Sequence, residues 1–163
     1  MNRRLFLFLV LAGSTAFAGE SRAQASEDAV TFVRNFYTRE IERHSAKGRV
    51  GDAEFLSVFT PATQKIWIAA RDNKNPPPVP AGPLTHAFLG SGVLPGRDVK
   101  LVKVAVAGGG ARLLVVAVDI TVEGNPRKLY AYVVRDGNTW RFDDIDYGGR
   151  ESFVSYHKRR AGM

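Results

Sequence analysis

Residues 99–147 read VKLVKVAVAGGGARLLVVAVDITVEGNPRKLYAYVVRDGNTWRFDDIDY, and this stretch decides the fold. Apolar side chains alternate with polar ones along most of it, and a period of two indicates β-strands. Three glycine-containing turn sequences interrupt the alternation: Gly108-Gly109-Gly110, Gly124-Asn125 and Asp136-Gly137. They divide the stretch into four strands of an antiparallel sheet, which we predict at residues 99–107, 111–122, 127–135 and 139–147.

The turn lengths predict the register of the strands, and the register predicts which side chains share a face of the sheet. In this register Val104 lies opposite Leu114, and Val118 lies opposite Ala131. One face is then almost entirely apolar and comprises Val102, Val104, Val106, Leu114, Val116, Val118, Ile120, Leu129, Ala131, Val133, Trp140 and Phe142. The last turn can be Asp-Gly or Gly-Asn without moving the two aromatic residues off this face, because both choices have the same parity. Such an apolar face must be buried against other secondary-structure elements.

The residues before the sheet supply these elements as helices. Apolar spacing predicts three of them, at residues 27–47, 52–59 and 61–71. A residue type that caps helices stands at the start of each: Ser26 before the first, Asp52 as the first residue of the second, and Thr60 before the third, where Pro61 has the first helical position. Gly48 lies beyond the end of the first helix, and residues 75–83 form a proline-rich extended connector. We therefore expect an α+β domain over residues 26–147, with three N-terminal helices packed on a curved four-stranded antiparallel sheet.

The other face of the predicted sheet is half apolar, with Tyr130 and Tyr132 near its middle. A face of this kind can be solvated, or it can pair with the same face of a second copy of the chain. Both readings stay open at this point, so a homodimer through the outer sheet face is one expectation.

The first 25 residues have the pattern of an export signal. Arg3 and Arg4 precede an apolar run that ends near Ala18, and two Ala-x-Ala sequences follow, Ala16-Phe17-Ala18 and Ala23-Gln24-Ala25. A basic start, a short apolar segment and small residues at a cleavage site are typical of a secretory signal peptide, and the run is too short for a good membrane span. We expect cleavage after Ala25, with cleavage after Ala18 as the alternative, and a periplasmic or secreted product.

Composition narrows the classes of partner. The chain of 163 residues has a formal net charge of +7 and no cysteine, so it can form neither a disulfide nor a lipid-anchored cysteine. We expect no nucleic-acid partner for an exported protein that is only moderately basic. Residues 148–163 form a basic C-terminal tail that contains His157-Lys158-Arg159-Arg160, and we expect it to be frayed and solvated.

A family resemblance is carried by the Phe36-Tyr37 pair in the first helix and by the closing string Asp136-Gly137-Asn138-Thr139-Trp140-Arg141-Phe142-Asp143-Asp144-Ile145-Asp146-Tyr147. Residues 27–147 resemble the cone-shaped fold shared by nuclear transport factor 2 and ketosteroid isomerase, and in particular small exported bacterial proteins of that superfamily. The resemblance implies a pocket between the concave sheet face and the first helix. The superfamily includes enzymes, transport factors and immunity proteins, so the fold does not decide function.

Four residues are candidates to line the mouth of that pocket: Tyr37, Trp67, Trp140 and Asp144. Simple alternation points Asp144 inward, where an apolar pocket would raise its pKa and suit it to act as a general base. A bulge at Asp143-Asp144 would instead turn both carboxylates outward and leave Ile145 in the core. For the three aromatic residues, packing in the core is the competing interpretation.

No motif in the sequence points to a metal or a cofactor, and His44, His86 and His157 are scattered over a helix end, a loop and the tail. The leading hypothesis is therefore a non-enzymatic module that binds a small apolar ligand or a protein partner. An isomerase-like or dehydratase-like enzyme with Asp144 as its base is one alternative, although the isomerase's oxyanion-binding tyrosine and acid have no matching motif here. An immunity or inhibitor protein against a secreted toxin is another.

Overall fold

The computed structural model describes residues 16–79, 84–110, 112–149 and 151–163, and within these ranges the fold is α+β. Its elements are α1 (Ala16–Ser45), α2 (Asp52–Ser57), α3 (Pro61–Asp72), β1 (Val99–Gly109), β2 (Leu113–Val122), β3 (Asn125–Asp136), β4 (Thr139–Asp146) and α4 (Phe153–Ala161). The four strands form one antiparallel sheet in the order β1-β2-β3-β4. The prediction of a four-stranded antiparallel sheet preceded by three helices is confirmed, and a fourth helix follows the sheet.

The second hairpin turns one residue earlier than predicted. Val122 pairs with Asn125, so the turn is Glu123-Gly124, and both of its residues have positive φ, 52° and 77°. Two left-handed residues are what a tight hairpin turn matched to the strand twist requires. Val118 consequently lies opposite Leu129 instead of Ala131. The predicted register was wrong by two residues, and because the side-chain period is two, the same side chains still share a face.

The first hairpin departs further, since strand β1 contains two irregularities. The register shifts between Leu101 and Lys103 and again between Val106 and Gly108, and Val104 pairs with Val118 instead of Leu114. The extra residue at the first bulge is Val102, which is 64% exposed. The prediction that Val102 belongs to the apolar face was therefore wrong, because a bulge breaks the alternation on which that prediction depends.

Val106 was also predicted wrongly, because it lies next to the second irregularity of β1 and is 43% exposed. The other side chains of the predicted apolar face belong to the core of the molecule. Trp140 and Phe142 are buried, whereas Tyr130 and Tyr132 lie partly exposed on the outer face. The buried side chains of the sheet include Val104, Leu114, Val116, Val118, Ile120, Leu129, Ala131, Val133 and Ile145. Helix α1 lies against β1 and β2, and α4 lies against β4 and α3. The buried and exposed faces of β2, β3 and β4 were thus predicted correctly.

Helix α1 starts earlier than predicted and ends in a different way. It begins at Ala16, so Ser26 lies inside the helix and is not its cap, and residues 1–15 of the predicted signal peptide lie outside the described residues. At its end Lys47 has a positive φ of 52°, its N–H donates to His44, and the Gly48 N–H donates to Arg43. This is a Schellman ending in which lysine, and not glycine, occupies the left-handed position. No helix of the described ranges is long and apolar enough to cross a membrane.

The next two helices confirm one predicted cap and correct another. Gly51, not Asp52, is the N-cap of α2, and Asp52 is in its first turn. Helix α3 begins as predicted, with Pro61 in the first turn and the Thr60 hydroxyl accepting a hydrogen bond from the Thr63 N–H. Residues 73–79 have no helix or strand, and the remainder of the proline-rich connector, residues 80–83, lies outside the described residues.

The expectation of a frayed C-terminal tail was wrong. Ser152 and Ser155 form a reciprocal capping box that starts helix α4, and Gly162 ends the helix with a φ of 77°. Phe153 has no exposed surface, and its ring stacks on that of Phe59 at a centroid distance of 4.6 Å. The basic residues of the last turn face the negative end of the helix dipole, which explains why a basic cluster is compatible with an ordered end.

Candidate functional site

The Asp144 carboxylate is hydrogen-bonded to the first turn of helix α4. A bulge lies between the pairs Tyr132–Asp144 and Val133–Phe142, so the extra residue is Asp143, and Ile145 is fully buried. Asp144 Oδ1 accepts hydrogen bonds from the N–H groups of Ile145 (2.8 Å) and Val154 (2.9 Å), the second of which is in the first turn of α4. Of the two alternatives, the structure has the bulge, which commits the carboxylate oxygen to backbone donors.

The neighbouring Asp143 does the same for helix α3. Its carboxylate accepts a hydrogen bond from the Thr60 hydroxyl at 3.0 Å, and its backbone carbonyl accepts one from the Thr63 hydroxyl at 2.6 Å. The two acids of one bulge therefore anchor the N-terminal ends of α3 and α4, where a negative charge is favourable. This arrangement explains the Asp-Asp pair without invoking catalysis.

Tyr37 is a core residue with a structural hydrogen bond. It has no exposed surface, and its hydroxyl donates to the backbone carbonyl of Phe88 at 3.2 Å. Burial, together with the nearby Glu40 carboxylate, raises the pKa of the Tyr37 hydroxyl far above its usual value. Tyr37 is thus a neutral hydrogen-bond donor on α1, and its bond to Phe88 holds the loop before β1 against this helix.

The two tryptophans lie in different places. Trp140 is buried near the turn between β3 and β4, and Trp67 packs on Phe55 with a centroid distance of 5.2 Å. The four predicted site residues do not line one common pocket. Trp67 lines a cavity beside α2, whereas Tyr37, Trp140 and Asp144 do not line it.

The helix-covered side of the sheet carries a cluster of phenylalanine rings. Phe142 is at the centre, with centroid distances of 4.7 Å to Phe36, 6.2 Å to Phe59 and 6.3 Å to Phe88. The Phe142 ring packs edge-on or tilted against each of these three, as aromatic side chains prefer. Because these side chains occupy the space under the first helix, the open volume lies elsewhere, on the outer side of Phe36 and Phe88.

That volume is a cavity of about 270 Å³ between helices α1 and α2. Its apolar wall consists of Phe36, Val50, Phe55, Val58 and Phe88, and its polar wall of Arg39, Glu40, Arg43, Glu54 and Ser57. A second, more open cavity of about 280 Å³ adjoins it, since Val50 and Phe55 line both. Trp67, Tyr156 and His157 are on the far side of the second cavity.

A chain of charged and polar groups runs along the polar wall of the first cavity. Arg43 donates from one nitrogen to Glu40 Oε2 at 3.2 Å and from the other to Glu54 Oε1 at 2.7 Å. The Nε2 atom of His86 lies 3.7 Å from the other oxygen of Glu40. Arg43 and the two glutamates thereby link α1 to α2, and His86 links the loop before β1 to Glu40. Burial raises the pKa of the Glu40 carboxyl, Arg43 opposes that shift, and Glu54 adds to it.

His86 is a neutral hydrogen-bond acceptor. Its Nδ1 atom accepts from the backbone N–H groups of Phe88 and Leu89, both at 3.3 Å, so its proton belongs on Nε2, towards Glu40. Burial, assisted by the adjacent His44, lowers the pKa of His86 to about 4. The His44 ring is 5.2 Å from that of His86, and within the described ranges its buried Nε2 atom has no hydrogen-bond partner.

The lowered pKa of His86 predicts a loss of stability in acid. The unfolded chain binds a proton at this residue below about pH 6.5, whereas the folded chain does so only near pH 4. The free energy of unfolding should therefore fall by about 2 kcal/mol between pH 7.5 and pH 4.5 on account of this residue. His86→Asn keeps an acceptor oxygen for the two N–H groups but cannot titrate, so its stability should change less with pH.

Urea denaturation of both proteins across this pH range measures the difference. Glu40 titrates with the opposite sign, because a raised carboxyl pKa favours the folded state as the pH falls, and this contribution is common to wild type and His86→Asn. Parallel curves of stability against pH for the two proteins would contradict the assignment.

The sequence contains one local signal for this site. Glu40 lies three residues after Tyr37 and four before His44, so it falls within the apolar stripe of the first helix. A carboxylate in such a stripe is rarely buried without a partner. That spacing could have identified Glu40, whereas nothing local connects it with His86 or Glu54.

No protein-family model matches this chain, and no curated protein or solved structure shows significant similarity to it. Within the described ranges, no group of three or more His, Asp or Glu side chains is arranged to hold a metal ion.

Proposed function

We propose that this is an exported, non-enzymatic module of the nuclear transport factor 2-like type, and that it binds a small ligand between α1 and α2. The observation that carries the proposal is the cavity in which three phenylalanine rings face an ordered chain of two glutamates and an arginine. A mostly apolar concavity with a few fixed polar groups is the usual form of a ligand site. Its volume of about 270 Å³ suits a metabolite of modest size.

The position of Asp144 supports a binding function over catalysis. The enzyme alternative depends on a pocket carboxylate that can exchange a proton with a substrate. Here Asp144 Oδ1 is occupied by two backbone N–H groups, and the residue does not line the cavity between α1 and α2. The homodimer and the immunity protein stay predictions, since neither gains a specific contact from the fold.

A fragment screen by ligand-observed NMR tests the proposal with two variants. Val50→Trp places an indole where both cavities meet, so fragments that bind wild type should lose their signal. Leu94→Trp is the matched control, because Leu94 is 48% exposed and lines neither cavity, and it should leave binding unchanged. Fragments that bind all three proteins equally, or a screen without binders, would contradict the proposal.

A further inference from the structure

The charges around the cavity are balanced but unevenly paired. Arg43 is shared between two carboxylates, Glu40 and Glu54, of which Glu40 is buried and Glu54 is 63% exposed at its side chain. Arg39 lies one helical turn before Arg43 on the same cavity wall and donates from Nε to the backbone carbonyl of Asn35 at 3.3 Å. Within the described ranges, no carboxylate is close enough to Arg39 to form an ion pair.

Among the described residues of this wall, Arg39 has no carboxylate partner, and the two carboxylates Glu40 and Glu54 have one arginine between them. The two Nη groups of Arg39 are available to an anion, while Nε donates to Asn35, and an arginine fork suits a carboxylate. The Glu40 and Glu54 carboxylates share only one cation, so a second cation beside Glu54 would be attracted. Opposite these charges lie the rings of Phe36, Phe55 and Phe88, which would exclude water from an apolar group.

We infer that the ligand of this cavity is a small zwitterion with an apolar side chain, such as a free hydrophobic amino acid. The inference rests on the proposed ligand-binding function and names its chemical class. The ligand carboxylate pairs with Arg39, its ammonium group with Glu54, and its side chain packs against the phenylalanine rings. A ligand with a single charge would leave one of the two protein groups without a partner, and would bind less tightly.

Three probes with the same phenyl group separate the two charges: L-phenylalanine, 2-phenylethylammonium and 3-phenylpropionate. Calorimetric titration of the full chain at pH 7.5 should give a dissociation constant for L-phenylalanine at least about tenfold lower than for either analogue. Arg39→Gln should weaken L-phenylalanine about tenfold while leaving 2-phenylethylammonium unchanged. Glu54→Gln should weaken L-phenylalanine and leave 3-phenylpropionate unchanged. Both side chains are exposed enough for the variants to fold.

The outcomes separate this inference from the proposed function. If either singly charged analogue binds as tightly as L-phenylalanine, and Val50→Trp abolishes that binding, the zwitterion is wrong and the ligand site stands. If none of the three probes binds but the NMR screen finds fragments sensitive to Val50→Trp, the zwitterion is again wrong. If neither the probes nor the fragments bind, both are overturned.

Discussion

Phe142→Ala should lower the free energy of unfolding by about 3–5 kcal/mol, which is the cost of emptying a large aromatic site in a core. Phe142 has no exposed surface and contacts five other aromatic rings, those of Phe32, Phe36, Tyr37, Phe59 and Phe88. These five rings come from α1 and two connecting segments, so the cavity left in β4 cannot close without moving several parts of the fold. Urea denaturation followed by tryptophan fluorescence measures the effect.

Val102→Ala is the control for this prediction. Sequence alternation places Val102 on the same apolar face as Phe142, but the bulge in β1 leaves it 64% exposed. Its replacement should change stability by no more than about 0.5 kcal/mol. A large loss at Val102 together with a small one at Phe142 would mean that the faces of the sheet are assigned the wrong way round.

Phe153→Ala should cost about 3–4 kcal/mol, because helix α4 is part of the core. The Phe153 ring stacks on Phe59 at 4.6 Å and lies 4.2 Å from the ring of His157, and it is fully buried. Thermal and urea denaturation measure the loss. A frayed tail, as expected from the sequence, would give no change.

Lys158→Ala in the same helix is the matched control, since Lys158 is exposed and alanine favours helix. Its stability should stay within about 0.5 kcal/mol of wild type. Superposable denaturation curves for Phe153→Ala and wild type would show that α4 does not stabilise the fold.

The candidate site was predicted far less well than the fold. Tyr37 and Trp67 were chosen from the right helices, but one is a core donor and the other lies on the neighbouring cavity. Glu40, Arg43 and Glu54 act together because Arg43 of α1 forms ion pairs with Glu40 and with Glu54 of α2, which lies 11 positions further along the chain. Residues that come together only in the folded chain leave no short sequence motif from which the site could be predicted.

The alternation along residues 99–147 was enough to place most inward-facing side chains, since a period of two survives the two-residue error in the second hairpin. Thr60-Pro61 likewise defined the start of α3, because capping is a contact between residues three apart. Only the tertiary structure decided the bulges at Val102 and Asp143, the docking of α4 and the packing of phenylalanine rings around Phe142. Those features depend on how distant segments share one core, and neighbouring residues in the chain carry no record of that packing.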